Sequence, residues 1–199
     1  SYWAQYTTPG DLYSDGVNFD TVGAPGSYTN ALTVASVDND GMISAKLEIA
    51  GSSIVYAETL TNAIGTPFGN ASMTTLDTTA DGSGTAYPYL FIDGLGAEED
   101  YAGMDLTGKI VFCKRGAINL VEKASTAAKL GAAATVIYNF ESGLINMDLS
   151  GYSYKAPAVF ASAAAGALAK ENGEVHTTTG GLTYYTGTVT VYGKETANY

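Results

Sequence analysis

At 199 residues the chain is long enough for one full domain with a proper core, which excludes a stapled miniprotein. It is 46% hydrophobic and only 15% charged, with 24 Gly and 15 Tyr, so it is a folded, turn-rich, strand-favouring chain and not a disordered one. Nine Lys and Arg against twenty Asp and Glu give a net charge of -11, which repels phosphate backbones and anionic bilayers and argues against nucleic acid as a partner.

Residues 1–27 carry Pro9, Gly10, Asp15, Gly16, Gly23, Pro25 and Gly26, punctuation that leaves room for little regular structure. The start lacks an initiator Met and the regions of a signal peptide, so the chain reads as a piece of a longer protein. No apolar run approaches the roughly 18 residues of a membrane span. From Ala31 the run ALTVASV is strand-like and ends at the turn Asn39-Asp40-Gly41. MISAKLEIAG and SSIVYAETL follow with near-alternating polarity around Gly51-Ser52, which gives three strands and two hairpin turns. Thr61 to Thr85, rich in Thr, Gly, Ser, Asn and Asp, reads as a long and partly mobile surface excursion.

A different pattern begins at Ala86. The run YPYLFIDG is strand-like, and Lys109 to Cys113 is the continuous apolar run of a strand buried on both faces of a parallel sheet. Leu120, Ala124, Ala127 and Ala128 then recur at helical spacing, with Asn119 as a candidate N-cap and Gly131 as a left-handed C-terminal cap. AATVIYN completes a right-handed βαβ unit. Ala158-Val159-Phe160 is a further strand, Ser162 caps the helix AAAGALAKEN, and EVHTTT and LTYYTGTVTVYG form a hairpin about Gly180-Gly181. The predicted class is mixed α/β (α+β), with two crossover helices and antiparallel hairpins contributed by both chain ends.

Chemistry-bearing patterns are sparse. No G-x-S-x-G elbow occurs, and the nearest string, Gly151-Tyr152-Ser153-Tyr154, makes Ser153 a loop serine. His176 is the only His and reads as an exposed strand residue; with a single Cys it cannot fill a zinc shell, so no metal and no cofactor is expected. Cys113 lies inside a strand and behaves as a small hydrophobe. Asp38-Asn39-Asp40-Gly41 lacks the closing Glu of a calcium loop and reads as a turn. Gly94-Leu95-Gly96 is followed by acids that oppose a phosphate. Glu98, Glu99 and Asp100 form either a solvated acidic face or a set of paired carboxylates that could hold a cation. Asn70-Ala71-Ser72 fits a glycosylation sequon.

Two segments carry a family resemblance. TVGAPGSYTNALTVASVDN, Thr21 to Asn39, resembles the strand-and-turn segment after the oxyanion asparagine region of subtilisin-like serine proteases. YAGMDLTGKIVFCKRGAINLVEKASTAAKLGAAATVIYN, Tyr101 to Asn139, resembles the protease-associated (PA) domain, and Ala156-Pro157-Ala158-Val159-Phe160 resembles that domain's later strand, with Ser162 to Asn172 as its last helix. The order resembles a PA domain inserted into a lactocepin-type, cell-envelope subtilase.

That resemblance implies residues 1–40 as a flank of the catalytic domain and 41–199 as the insert, with a PA core over about 86–173 and a β-sandwich-like core flanked by two helices. It also implies an extracellular, secreted or cell-wall-attached bacterial parent whose catalytic Asp, His, Asn and Ser lie outside this chain, so the segment itself is not expected to cleave peptides. Its implied partners are the parent's protein or peptide substrate and, intramolecularly, the catalytic domain, with no membrane insertion. The implied role is to modulate substrate access or bind substrate non-covalently; the alternative is a structural spacer or dimerisation module. Candidate contacts are Phe140, Tyr152 and Tyr154 as aromatic anchors and Glu98, Glu99 and Asp100 as an acidic loop. Arg115 is either a structural residue at a strand end or a ligand for a peptide carboxylate.

Overall fold

The computed structural model describes residues 42–193 and 196–198, all within one compact unit, Gly41–Tyr199. The predicted strand Ala31 to Val37 and the turn at Asp38 to Gly41 lie outside the described residues. Among the described residues β1 (Met42–Ser44) pairs only with β10 (Thr196–Asn198). The other strands are β2 (Lys46–Ile49), β3 (Ser52–Glu58), β4 (Thr85–Phe91), β5 (Ile110–Lys114), β6 (Ala134–Tyr138), β7 (Ala158–Ala161), β8 (Glu174–Thr177) and β9 (Thr183–Val191). Helices α1 (Leu120–Lys129) and α2 (Ala163–Glu171) complete the fold. The single predicted strand MISAKLEIAG is thus two strands that break at Ala45 and serve different sheets.

The expected βαβ unit is present: β4, β5, β6 and β7 run parallel in adjacent positions, and α1 joins β5 to β6. Gly131 follows α1 at φ +92, the left-handed cap its position predicts, whereas neither Asn119 nor Ser162 makes a side-chain capping bond. β2–β3 and β8–β9 are antiparallel hairpins.

The sandwich-like arrangement gives way to a barrel. The main sheet runs β2-β3-β7-β6-β5-β4-β9-β8, and β2 also pairs with β9, so seven strands close on themselves and β8 hangs outside the ring. The length of β9 makes this possible. Along one edge it pairs with β4 over Tyr185–Val191; along the other it serves β8 through Thr183–Thr186 and then β2 through Thr190 and Val191. Closure satisfies backbone groups that two open layers would leave as edges. It also occupies Thr190 and Val191 on both sides.

Alternation along the strands sorts the core into two clusters. Ile110, Phe112, Val136, Tyr138, Val159 and Tyr89 point into the barrel, where α2 adds Ala165 and Ala169. Val111, Cys113, Ile137, Ala158 and Phe160 point outward against Ala124 and Ala127 of α1. β5, β6 and β7 are therefore buried on both faces, as their unbroken apolar runs require.

The excursion after β3 is largely exposed or half-buried, as its composition predicts, but it is anchored. Met73, in the 3-10 turn Met73–Leu76, is fully buried in the barrel cluster. The Asp77 carboxylate accepts from Thr79 N, Thr79 Oγ1, Thr85 Oγ1, Gly84 N and Gly193 N, and the Thr79 hydroxyl is foremost among the bonds that hold its pKa well below the usual carboxylate range.

The β2–β3 turn is Ala50-Gly51, one residue earlier than predicted, and both residues have positive φ (50 and 79). A left-handed alanine costs about 1–2 kcal/mol, which asparagine tolerates far better in this type of turn. Ala50→Asn is expected to stabilise the protein by about 0.5–1 kcal/mol, read as a raised urea midpoint with an unchanged slope.

Candidate functional site

Two hollows among the described residues face solvent. The first, about 670 Å³, lies between the segment after β3 and the segment before Ser150, lined by Thr59, Leu60, Asn62, Phe68, Met147 and Asp148. Its walls are tied together where Met147 N donates to Thr59 Oγ1 at 3.0 Å, and Asn62 Oδ1 fixes one lip by accepting from Ile64 N and Thr66 N. Leu60 lines the hollow, and nearby in the same segment Ile64 is 87% exposed. The second hollow, about 510 Å³, runs between β3 and α2 and is lined by Ser53, Val55, Leu144, Ala164, Ala165 and Leu168, among others.

A third feature stands at the carboxyl ends of β5 and β6. Arg115 Nη1 donates to Asn139 Oδ1 at 3.2 Å, and its guanidinium lies 5.2 Å from the ring centre of Phe140. Asn139 also donates to Gly143 O and accepts from Phe140 N. Arg115 thus braces the 139–143 turn, the structural alternative of its two readings, and leaves Phe140 52% exposed.

The other predicted contact residues scatter. Tyr152 is 5% exposed in the cluster between sheet and α1, with its hydroxyl donating to Ala156 O at 2.8 Å. It is a core residue and not an anchor: without partner atoms from the chain, so large a ring at this position would leave a void. Tyr154 is half-buried beside it, with ring centres 5.8 Å apart. The acidic run forms a 3-10 turn, Glu98–Tyr101, in which the three carboxylates have different duties. Asp100 Oδ2 accepts from Gly96 N and Ala97 N and so staples its own loop. Glu98 pairs with Lys129 at 2.8 Å, both side chains more than half exposed, a contact of little energetic weight. Glu99 faces solvent.

His176 shares a hydrogen bond with Thr186 Oγ1 at 2.8 Å and stacks on Tyr184, its cross-strand partner. Asn70 is 8% exposed, and its Nδ2 donates to Thr59 O; a sequon asparagine held this way cannot present its amide to a modifying enzyme in the folded state.

Lys123 escaped the sequence reading. It is fully buried, and its ammonium donates to Leu95 O and, at 2.9 Å, to Lys114 O, clamping the loop after β4 onto the end of β5. The signal was present: Leu120 and Ala127, three and four residues away, place position 123 on the inward face of α1. Burial lowers the ammonium's pKa, with Cys113 and Asp100 countering. Burial also pushes the neighbouring Cys113 thiol up to about 11, so it stays protonated and unreactive near neutrality.

Residues 74–169 match the model of the PA domain family, so a PA domain is present. Over 60 residues, 30% of this chain and 7% of the relative, the sequence is 47% identical to Minor extracellular protease Vpr of Bacillus subtilis (strain 168). Over 159 residues, 80% of this chain and 12% of the relative, it is 28% identical to C5a peptidase of Streptococcus pyogenes serotype M1. Among solved structures, the aminopeptidase from Aneurinibacillus sp. strain AM-1 aligns with a TM-score of 0.50 at 26% identity, covering 79% of this chain and 32% of that one. The chain spans less than a fifth of the length of these curated relatives.

Proposed function

We propose that this chain, built around a PA domain, is the non-catalytic segment of a bacterial extracellular peptidase of the subtilisin-like serine type, and that it binds protein substrate or controls its access to a catalytic domain. The observation that carries this reading is the reach of the similarity to C5a peptidase, which extends over 80% of the chain and so beyond the PA-matching residues. Residues Thr21 to Asn39, which resemble a subtilase segment, add to it and support reading 1–40 as a flank of the catalytic domain. PA-type relatives also include aminopeptidases, so the serine type rests on that flank.

The chemistry fits a gripping role. The thiol is buried and protonated, the only His is tied to a threonine, and the exposed features are rim loops with Phe140, Ile64, Glu99 and the half-buried Tyr154. Binding energy taken from a substrate far from the scissile bond orients it without any group here entering the reaction.

Deleting residues 42–193 from the parent peptidase is expected to lower kcat/KM for a folded protein substrate by about tenfold or more, and to leave a short chromogenic peptide within about twofold. Equal loss on both substrates would instead support the spacer role and overturn this reading.

A further inference from the structure

β3 has a strand neighbour along only half of one edge. β7 pairs with Tyr56–Glu58, but its own chain leaves the sheet at Ser162 to begin α2, so among the described residues Ser52–Val55 have no strand on that side. The register with β2 fixes where their polar groups point. In a two-residue hairpin the flanking pair, Ile49 and Ser52, exchanges hydrogen bonds, as does Leu47 with Ile54; the N–H groups of Ser53 and Val55 therefore face away from β2. They face the hollow of about 510 Å³ whose opposite wall is α2.

The lining of that hollow differs from that of the first, which includes Glu58 and Asp148. Val55, Leu144, Ala164, Ala165 and Leu168 make it apolar, Ser52, Ser53 and Ser162 rim it, and no charged side chain lines it, on a chain of net charge -11. Leu144 is 39% exposed there. A row of strand donors beside a neutral, apolar wall fits one kind of occupant: an extended, uncharged polypeptide stretch that hydrogen-bonds to β3 and turns alternate apolar side chains toward α2. A charged stretch would have to desolvate there with no partner.

We propose that the β3–α2 groove is a strand-addition site for an extended apolar segment of a protein substrate, with Ser53 and Val55 giving the main-chain bonds and Leu144, Ala164 and Leu168 the side-chain contacts. This rests on the substrate-binding role proposed above and adds to it a place and a recognition chemistry.

The test measures binding alone, so its failure is separable from that of the peptidase reading. The full 199-residue chain is titrated into a fluorescein-labelled, end-blocked peptide alternating threonine with valine, and into a second in which glutamate replaces valine. The first is expected to bind and the second to bind about tenfold more weakly or not at all. Val55→Pro removes a groove-facing N–H without taking a bond from β2, and is expected to weaken binding about tenfold. Ala164→Glu, at an exposed helix position that keeps the fold, places a carboxylate on the wall and is expected to weaken it at least as much. Binding that ignores both substitutions, or equal affinity for the two peptides, overturns the proposal. So does concentration-dependent self-association that Ala164→Glu abolishes while the valine peptide fails to bind, because the groove would then belong to a second copy of the chain.

Discussion

Raising the pH from about 9 to about 11 is expected to remove roughly 5 kcal/mol of folding stability, enough to unfold a domain of ordinary stability. Tyr89, Tyr101, Tyr138 and Tyr152 are at most 5% exposed and Cys113 is fully buried, and burial raises the pKa of each above the 10.0 of a free phenol or the 9.0 of a free thiol. Tyr152 is pushed up to about 12 and Cys113 to about 11. The unfolded chain therefore releases these protons first. The stability they supply is complete below their unfolded pKa values and is lost as pH climbs toward the folded ones, at about 1.4 kcal/mol per pH unit for each group fully in its window. Lys123 acts in the opposite sense: its folded pKa lies below 10.5, so the unfolded chain holds the extra proton up to that point and the ammonium's burial penalty shrinks as pH rises. One lysine offsets one of five acids. Urea midpoints taken stepwise across this range would check the slope, and phenolate absorbance should appear together with loss of the circular-dichroism signal. A midpoint that stays flat to about pH 11 would refute the assignment of these groups as buried proton holders.

The parts of the fold that were legible in the sequence are those whose instructions are local. KIVFC and AATVIYN are continuous apolar runs because β5 and β6 are covered on both faces, and the helical spacing between them together with Gly131 fixes α1. Closure of the barrel was not legible, because it depends on one edge of β9 changing partner from β8 to β2, a pairing between residues more than a hundred apart that no local pattern announces. Met73 sits in a Thr- and Gly-rich stretch, and only its tertiary position makes it core. Tyr152 and Phe140 look alike as aromatics in one loop; whether each is core or surface depends on which way the 139–157 connection folds back over α1's cluster. The groove beside β3 exists because β7 stops at Ala161 while β3 continues, a mismatch of lengths visible only once the two are paired.

Gly166→Ala is expected to destabilise the protein by about 2–3 kcal/mol, against the helix propensity that favours the substitution by about 1 kcal/mol. Gly166 lies in the middle of α2, in the run AAAGALAKE, where sequence alone marks glycine as the weak position. A Cβ there would run into the ring of Tyr138, closer than any real methyl approaches. The ring cannot move aside: it stacks on Phe91 with centres 5.2 Å apart, and its hydroxyl donates to Ile92 O at 3.0 Å. Nor can the helix withdraw, because Ala165 and Ala169 are buried in the barrel cluster on either side and Tyr89 donates to Ala169 O at 2.7 Å. Overpacking of this kind has to be relieved by distorting both the helix and β6. Ala167→Gly, on the exposed face of the same helix, supplies the contrast, since only propensity acts there and a loss of about 1 kcal/mol is expected. For a chain of this size the two variants should lower the melting temperature by about 5–10 °C and about 2–4 °C respectively. A Gly166→Ala protein as stable as the unmodified chain would mean that α2 does not lie against Tyr138, and the barrel's interior would then have to be packed another way.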